Sequence, residues 1–275
     1  MADIGIGGHQ PGFGSTLRTD SWKRGPVLTF LGLSAFIVYA TWAAFQGAHY
    51  YVGPYLSPFY SPVLFAEPSA VGGAPLEHAV FGAWPAWWPA FLPHSPSFFI
   101  LIFPGAFRLT CYYYRKAYYR SFATTPPGCA VGPRTQKKYH GETRLLLFQN
   151  LHRYALYFAI IFVFILYYDA FLAFSYHGVP GLGVGTLVLL VNATLLACYT
   201  FGCHSFRHLV GGRLDCFSCN AACGVQHGIW KKATFLNERH MPFAWLSLCW
   251  VGFTDLYIRL TSMGLITDLN TWEGF

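Results

Sequence analysis

Four well-separated points of the chain carry side chains that bind soft and borderline metals: Cys111, His152, the adjacent pair Cys203 and His204, and His240. Each stands inside or at the edge of a long apolar stretch. Helical bundles build metal and haem centres in this way, from inward side chains on facing helices. Haem b asks for two imidazoles on one iron; a Rieske-type 2Fe–2S cluster asks for two imidazoles on one iron and two thiolates on the other. His152 with His240, and Cys111 with Cys203, meet the second recipe. A lone Cys in an apolar helix behaves as a small apolar residue, so the reading rests on the four residues sharing one depth.

Two further groupings adjoin these residues. His204 and His208 are spaced i,i+4 and share one helix face, about 100° away from Cys203. If Cys203 turns inward, they look into a neighbouring groove as ligands, quinone hydrogen-bond partners or interfacial residues. Downstream, Cys216, Cys219, Cys223 and His227 follow a Cys-x2-Cys-x3-Cys-x3-His spacing. That spacing suits zinc, but no second Cys-x2-Cys accompanies it, and the three cysteines read as free thiols in a basic loop.

The elements that position these side chains follow from composition. The 275 residues are 54% hydrophobic and 11% charged, against about 25% charged in soluble domains. So few charges cannot cover a water-exposed surface, and lipid must supply part of the solvent. The net charge of +7 sits beside apolar runs, as in cytoplasmic loops, which argues against a nucleic-acid partner. The eight cysteines include several within apolar runs, unlike a secreted disulfide scaffold. Five stretches are long enough to span a bilayer: Pro26–Gly47, Ser97–Tyr119, Leu145–Phe174, Gly183–Val210 and His240–Ile266. The expected fold is an all-α transmembrane five-helix bundle over residues 26–266, after a cytoplasmic segment (1–25) and before an outer tail (267–275).

Charge then sets orientation. The segment Arg115–Arg144 carries Arg115, Lys116, Arg120, Arg134, Lys137, Lys138 and Arg144, and the segment Ser205–Met241 carries Arg207, Arg213, Lys231, Lys232 and Arg239. No Lys or Arg occurs between Ala48 and Pro96 or between Ser175 and Gly185. By the positive-inside rule the N-terminus is cytoplasmic. Cys111, His152, Cys203 and His240 then all fall near the cytoplasmic ends of four different helices. The segment from Ala48 to Pro96, dense in Pro and aromatic residues around Trp84-Pro85-Ala86-Trp87-Trp88-Pro89, reads as a cap on the outer surface, where such rings favour the interface. Arg108, Arg153, Asp169, Asp255 and Arg259 are charges within spans and must pair or line polar space.

Four blocks of sequence resemble a known family: Phe107 to Arg120, Gln149 to Tyr154, Cys203 to Leu214 and Asn237 to Met241. They are similar to the membrane anchors of actinobacterial-type succinate dehydrogenases. The resemblance implies flavoprotein and iron–sulfur partners docked on the cytoplasmic side, a quinone site, and residence in the inner membrane. Many anchors of the wider family carry haem b on a His seven residues before the His of an Arg-His-(Leu/Met) motif; here Phe201 stands there. Cys111 likewise stands where haem-bearing relatives have His. The branch most resembled is associated with a Rieske-like cluster in the membrane.

The sequence thus reads as an electron-transfer anchor with no succinate chemistry of its own. The expected metal ligands are Cys111, His152, Cys203 and His240, and the expected quinone contacts are His204, Arg207, His208 and Tyr119. A haem b anchor using His152, His204 and His240 is the redox alternative; a transporter or a structural scaffold is the alternative of another class, and no broken-helix repeat pair of the transporter kind is evident. Orientation is checked by a membrane-impermeant thiol reagent applied to intact cells. It should leave Cys129, Cys216, Cys219 and Cys223 unlabelled, and efficient labelling of any of them reverses the topology.

Overall fold

The computed structural model describes residues 12–135 and 145–272; Lys137, Lys138 and Arg144 of the expected basic loop lie outside them, as do the two chain ends. Among the described residues four helices are long and apolar enough to cross a bilayer: α1 (Arg24–Gln46), α5 (Leu145–Leu172), α6 (Val184–Phe201) and α9 (His240–Ser262). At 1.5 Å per residue α5 runs about 42 Å, well past a hydrocarbon core of about 30 Å. Helix α1 stops at Gly47, whose φ of 59° is left-handed. Glycine takes that conformation without strain, and a Cβ here would lie 3.1 Å from the His94 carbonyl oxygen.

Two expected spans are not continuous. The stretch Ser97–Tyr119 is divided into α2 (Ser97–Ile100), α3 (Ile102–Thr110) and α4 (Tyr112–Ser121), with Cys111 extended at φ −62°, ψ 129°. The stretch Gly183–Val210 ends as a span at Phe201; Gly202 closes α6, and Cys203 is extended at φ −70°, ψ 143° before α7 (His204–Gly211). Both breaks fall on a cysteine that the sequence pattern places inside a helix. Hydropathy registers only apolar length, and the short helices beyond each break continue the apolar and aromatic pattern. The segment after α7 is also more ordered than a loop. Asn220 caps α8 (Ala221–Glu238) by accepting the Cys223 amide at 2.8 Å, and Arg239 alone separates α8 from α9.

In the bundle α5 packs between α3 and α6, α6 packs on α9, and α1 lies against α4 and α9. One end gathers the N-terminal segment and the loop after α4. The Gly14 amide donates to the Gly132 carbonyl at 3.0 Å, the Gly132 amide to Ser15 at 2.8 Å, and Arg18 to the Cys129 carbonyl at 2.9 Å. The opposite end carries residues 48–96, which hold the hairpin of β1 (Tyr51–Val52) and β2 (Tyr55–Leu56) and no helix of membrane length. The hairpin of β3 (Ser175–Tyr176) and β4 (Val179–Pro180) and the tail after α9 meet this insert.

Three carboxylates fasten the insert to the bundle. Ser57 donates to Asp255, Ser61 to Asp169, and Tyr55 to Asp268 at 2.6 Å. Asp255 is fully buried and also accepts from Tyr39 of α1 at 2.6 Å and from Arg259, one turn along α9, at 3.4 Å. Arg259 in turn donates to the Ala48 carbonyl at 2.8 Å and lies 5.2 Å over Trp42. Asp268 accepts the Gly185 amide at 2.8 Å and the Tyr257 hydroxyl. Burial, then the hydrogen bond to Asp268, push the Tyr55 hydroxyl up, which keeps it a donor at neutral pH. Tyr55 also crosses Gly185 so closely that a Cβ there would meet its ring at 2.6 Å.

A carboxylate held by three donors in a dry environment is costly to remove, because its partners lose their acceptor together. Asp255→Ala should destabilise the chain by about 3–5 kcal/mol, and Ser57→Ala by about 1 kcal/mol. Thermal unfolding of the solubilised protein should rank them in that order; equal midpoints would remove Asp255 from its central place in the insert.

Candidate metal centre and adjoining cavity

The four expected ligands arrive from four different segments and meet. Cys111 stands at the α3–α4 break, His152 two turns into α5, Cys203 at the α6–α7 break, and His240 at the first position of α9. His152 Nε2 lies 2.9 Å from Cys203 Sγ, and His240 Nε2 lies 3.7 Å from Cys111 Sγ. Cys111 and Cys203 belong to one buried cluster with Phe107, Tyr114 and Tyr199. Cys111, His152 and Cys203 are buried and His240 is half-buried. Among the described residues no three His, Cys, Asp or Glu side chains converge on a single ion position. The donors are grouped as two Cys–His contacts within one enclosed patch.

The helix breaks explain how the thiols face inward. At each break the cysteine occupies the N-cap of a following helix, α4 or α7. Cys203 Sγ accepts the Ser205 amide at 3.3 Å. Cys203 thus caps α7 with its sulfur, while Cys111 stands at the N-cap of α4 without a cap hydrogen bond.

Neighbouring side chains fix the imidazoles. Thr110 Oγ1 donates to the Ala106 carbonyl at 2.7 Å, one turn back, and lies 3.0 Å from His152 Nδ1. With its one proton engaged, Thr110 can only accept from His152. The proton of His152 is therefore on Nδ1, and the Nε2 lone pair points at Cys203, the tautomer a metal ligand needs. Phe107 stacks on the His152 ring at 4.6 Å and Tyr199 on the His240 ring at 4.9 Å. His240 Nδ1 is buried with no hydrogen-bond partner among the described residues.

One cation stands behind the quartet. Arg108 donates to the Tyr114 hydroxyl at 2.6 Å, the Ser247 hydroxyl at 2.9 Å and the Ala244 carbonyl at 3.2 Å, and lies 4.5 Å over Tyr199. No carboxylate pairs with it among the described residues. A guanidinium in lipid must pair or line polar space, and here the Tyr114 and Ser247 hydroxyls and the Ala244 carbonyl supply it. The sequence marks Arg108 as a charge in a span. It does not mark Thr110, Phe107 or Tyr199, whose roles emerge only when α3, α5 and α6 are packed.

A cavity of about 750 Å³ opens beside His152 and Thr110, walled by Arg153, His204, Arg207 and His208. His208 Nδ1 accepts from Arg153 at 3.3 Å. Arg207 turns toward α8, donating to Thr234 at 2.9 Å with its guanidinium 4.5 Å over Trp230. Of the expected quinone contacts, His204, Arg207 and His208 share this cavity; Tyr119 lies on the exposed side of α4 and is not part of its wall.

The cysteine-rich segment takes a different form from the three free thiols expected. Cys216 and Cys219 are disulfide-bonded, with their Cα atoms 5.8 Å apart, and Cys223 is free. A tight turn before α8 brings the pair within bridging range. His227 stacks against Phe217 at 4.5 Å instead of facing Cys223 as a co-ligand would.

The model of the family described as actinobacterial succinate dehydrogenase subunit SdhC matches residues 24–264. A chain of the Mycobacterium smegmatis Sdh1 complex in the apo form superposes with a TM-score of 0.81 at 45% identity, covering 95% of each chain. No curated protein matches.

No hydrogen bond joins Cys216, Cys219 or Cys223 to the quartet among the described residues. Replacing all three with Ser should therefore leave the succinate dehydrogenase activity of the assembled complex within roughly twofold of wild type, the range of surface substitutions. A larger loss in that variant would give the loop a part in the site.

Proposed function

The chain belongs to the actinobacterial succinate dehydrogenase SdhC family, and from that premise we propose that it is the anchor at which electrons leave the enzyme for quinone, with Cys111, His152, Cys203 and His240 holding a Rieske-type 2Fe–2S cluster. As a multi-pass membrane subunit of succinate dehydrogenase, the chain needs no succinate chemistry of its own. In this reading α2, α3 and α4 together make a fifth crossing, and residues 48–96 cap the outer face. The basic end faces the cytoplasm, where a flavoprotein and an iron–sulfur protein dock.

The observation that carries the reading is the pairing of each imidazole with a thiol, 2.9 and 3.7 Å apart, in one buried patch. Equal numbers of thiolate and imidazole separate this cluster from haem and from all-cysteine clusters. The stacked rings of Phe107 and Tyr199 and the close Cys–His contacts speak against a macrocycle between His152 and His240. When bound, such a cluster supplies one-electron transfer at a potential raised by its imidazole ligands. The protein's own work is positional and electrostatic. Thr110 orients His152, the breaks before α4 and α7 place the two sulfurs in the buried patch, and Arg108 would offset negative charge. The adjoining cavity would seat the quinone head group, with His204, Arg207 and His208 as polar contacts and Arg153 orienting His208.

His152→Ala and His240→Ala should each abolish quinone reduction by the assembled complex while succinate oxidation with a soluble acceptor survives. Thr110→Val should cost about 10–100-fold in cluster retention, as loss of an outer hydrogen bond to a ligand does, and Thr110→Ser should restore it. The reduced complex should give a Rieske-like paramagnetic signal from this chain and no b-type haem band. Stoichiometric haem b that vanishes in His152→Ala would replace the cluster with the haem alternative.

A further inference from the structure

Helix α8 has two unlike faces. Toward α7 it presents Cys223, His227, Trp230, Ala233 and Thr234, with Ala233 buried and Thr234 bonded to Arg207. Its far arc exposes Val225, Ile229 and Phe235, the first 65% accessible, with Lys231 and Lys232 set among them. Val225, Ile229 and Lys232 follow an i, i+4, i+7 spacing and form one stripe. Helix α8 packs chiefly on α7 and only lightly on α6 and α9; no described element covers this arc.

We propose that this arc lies in the headgroup layer of the leaflet at the basic end of the bundle, its apolar side chains in the acyl boundary and its lysines on anionic phospholipid. Position argues for lipid. Asn237, near the end of α8, donates to the Gly202 carbonyl at 2.7 Å, so α8 ends at the level at which α6 stops. After Arg239 alone the chain enters α9, a membrane-crossing helix. Charge argues the same way. From Ser205 to Arg239 the chain carries Arg207, Arg213, Lys231, Lys232 and Arg239 against Asp215 and Glu238. A helix lying in the interface combines exposed apolar side chains with Lys and Arg whose stems snorkel to the phosphates, and each such cation near an anionic surface favours binding. The face stands independently of the metal centre, since it shares none of the four ligands.

The test uses the intact complex in its native membrane, with a photoactivatable benzophenone amino acid replacing Val225 or Ile229. Phospholipid adducts at both positions are expected. Cross-linking to another polypeptide at either position would assign the face to a partner protein and overturn the proposal, as would the absence of any adduct. In nanodiscs, amide exchange of residues 221–232 should slow by roughly tenfold when anionic lipid replaces zwitterionic lipid. The Lys231→Glu, Lys232→Glu variant should lose that difference while keeping quinone reductase activity, which serves as its folding control. Equal exchange of the wild type in both lipids would overturn the electrostatic part.

Discussion

A backbone may leave the helical path at membrane depth only where its freed groups are paired again, and the two cysteine breaks depend on meeting that condition. At the first, the Cys111 amide donates to Arg108 at 3.2 Å and the Cys111 carbonyl accepts from Arg115 at 2.9 Å. At the second, the Cys203 amide donates to Thr200 at 3.2 Å and its carbonyl accepts from Arg207 at 3.0 Å. Each break is bridged by backbone hydrogen bonds from the turns on either side of it. With that cost met, both sulfurs turn toward the axis of the bundle and each gains a helix N-terminus. The meeting with His152 and His240 follows from these local closures.

The two ends of the bundle solve the problem of buried charge differently. At the insert end, Asp169, Asp255 and Asp268 are each met by hydroxyl donors from residues 48–96, and Asp255 also by Arg259. Those networks tie α1, α5, α6 and α9 together through loop residues, with Arg259 Nη2 left without a hydrogen-bond partner among the described residues. At the other end, Arg108 is held by neutral groups alone among the described residues. The insert end thus meets buried charge with carboxylate–hydroxyl pairs, and the other end with a guanidinium on neutral acceptors. The sequence pattern fits this division, with acids near the insert end and arginines near the quartet.

Much of this was legible in the residues before any packing was known. Apolar runs locate α1, α5, α6 and α9, and depth counted from basic loops brings Cys111, His152, Cys203 and His240 to one level, where the structure has them in contact. The breaks were not legible, because hydropathy is blind to φ and ψ; only Gly202 beside Cys203 hints at one of them. Helix α8 was missed for a related reason. Its apolar residues are diluted by Gly, Lys and Gln to a loop-like composition, and the signal lay in the Asn220 cap and the 3.6-residue spacing. The Cys216–Cys219 bridge shows the opposite failure: a metal-like spacing is satisfied by the short turn that also permits a disulfide.

The two imidazoles of the quartet are held to different degrees, and the difference runs through the chain to α8. His152 lies within a long helix and its tautomer is fixed by Thr110, whose hydroxyl is itself anchored to α3. His240 opens α9, its Nδ1 has no hydrogen-bond partner among the described residues, and only Arg239 separates it from α8. Its position is therefore set from two sides, by the stacked Tyr199 ring and by the direction in which α8 delivers the chain. Asn237 fixes that direction by holding the Gly202 carbonyl, next to Cys203. The same short junction thus locates one thiol and one imidazole together. A helix resting on the membrane surface would steady this junction from outside the bundle, giving α8 a mechanical connection to the centre without contributing a ligand to it.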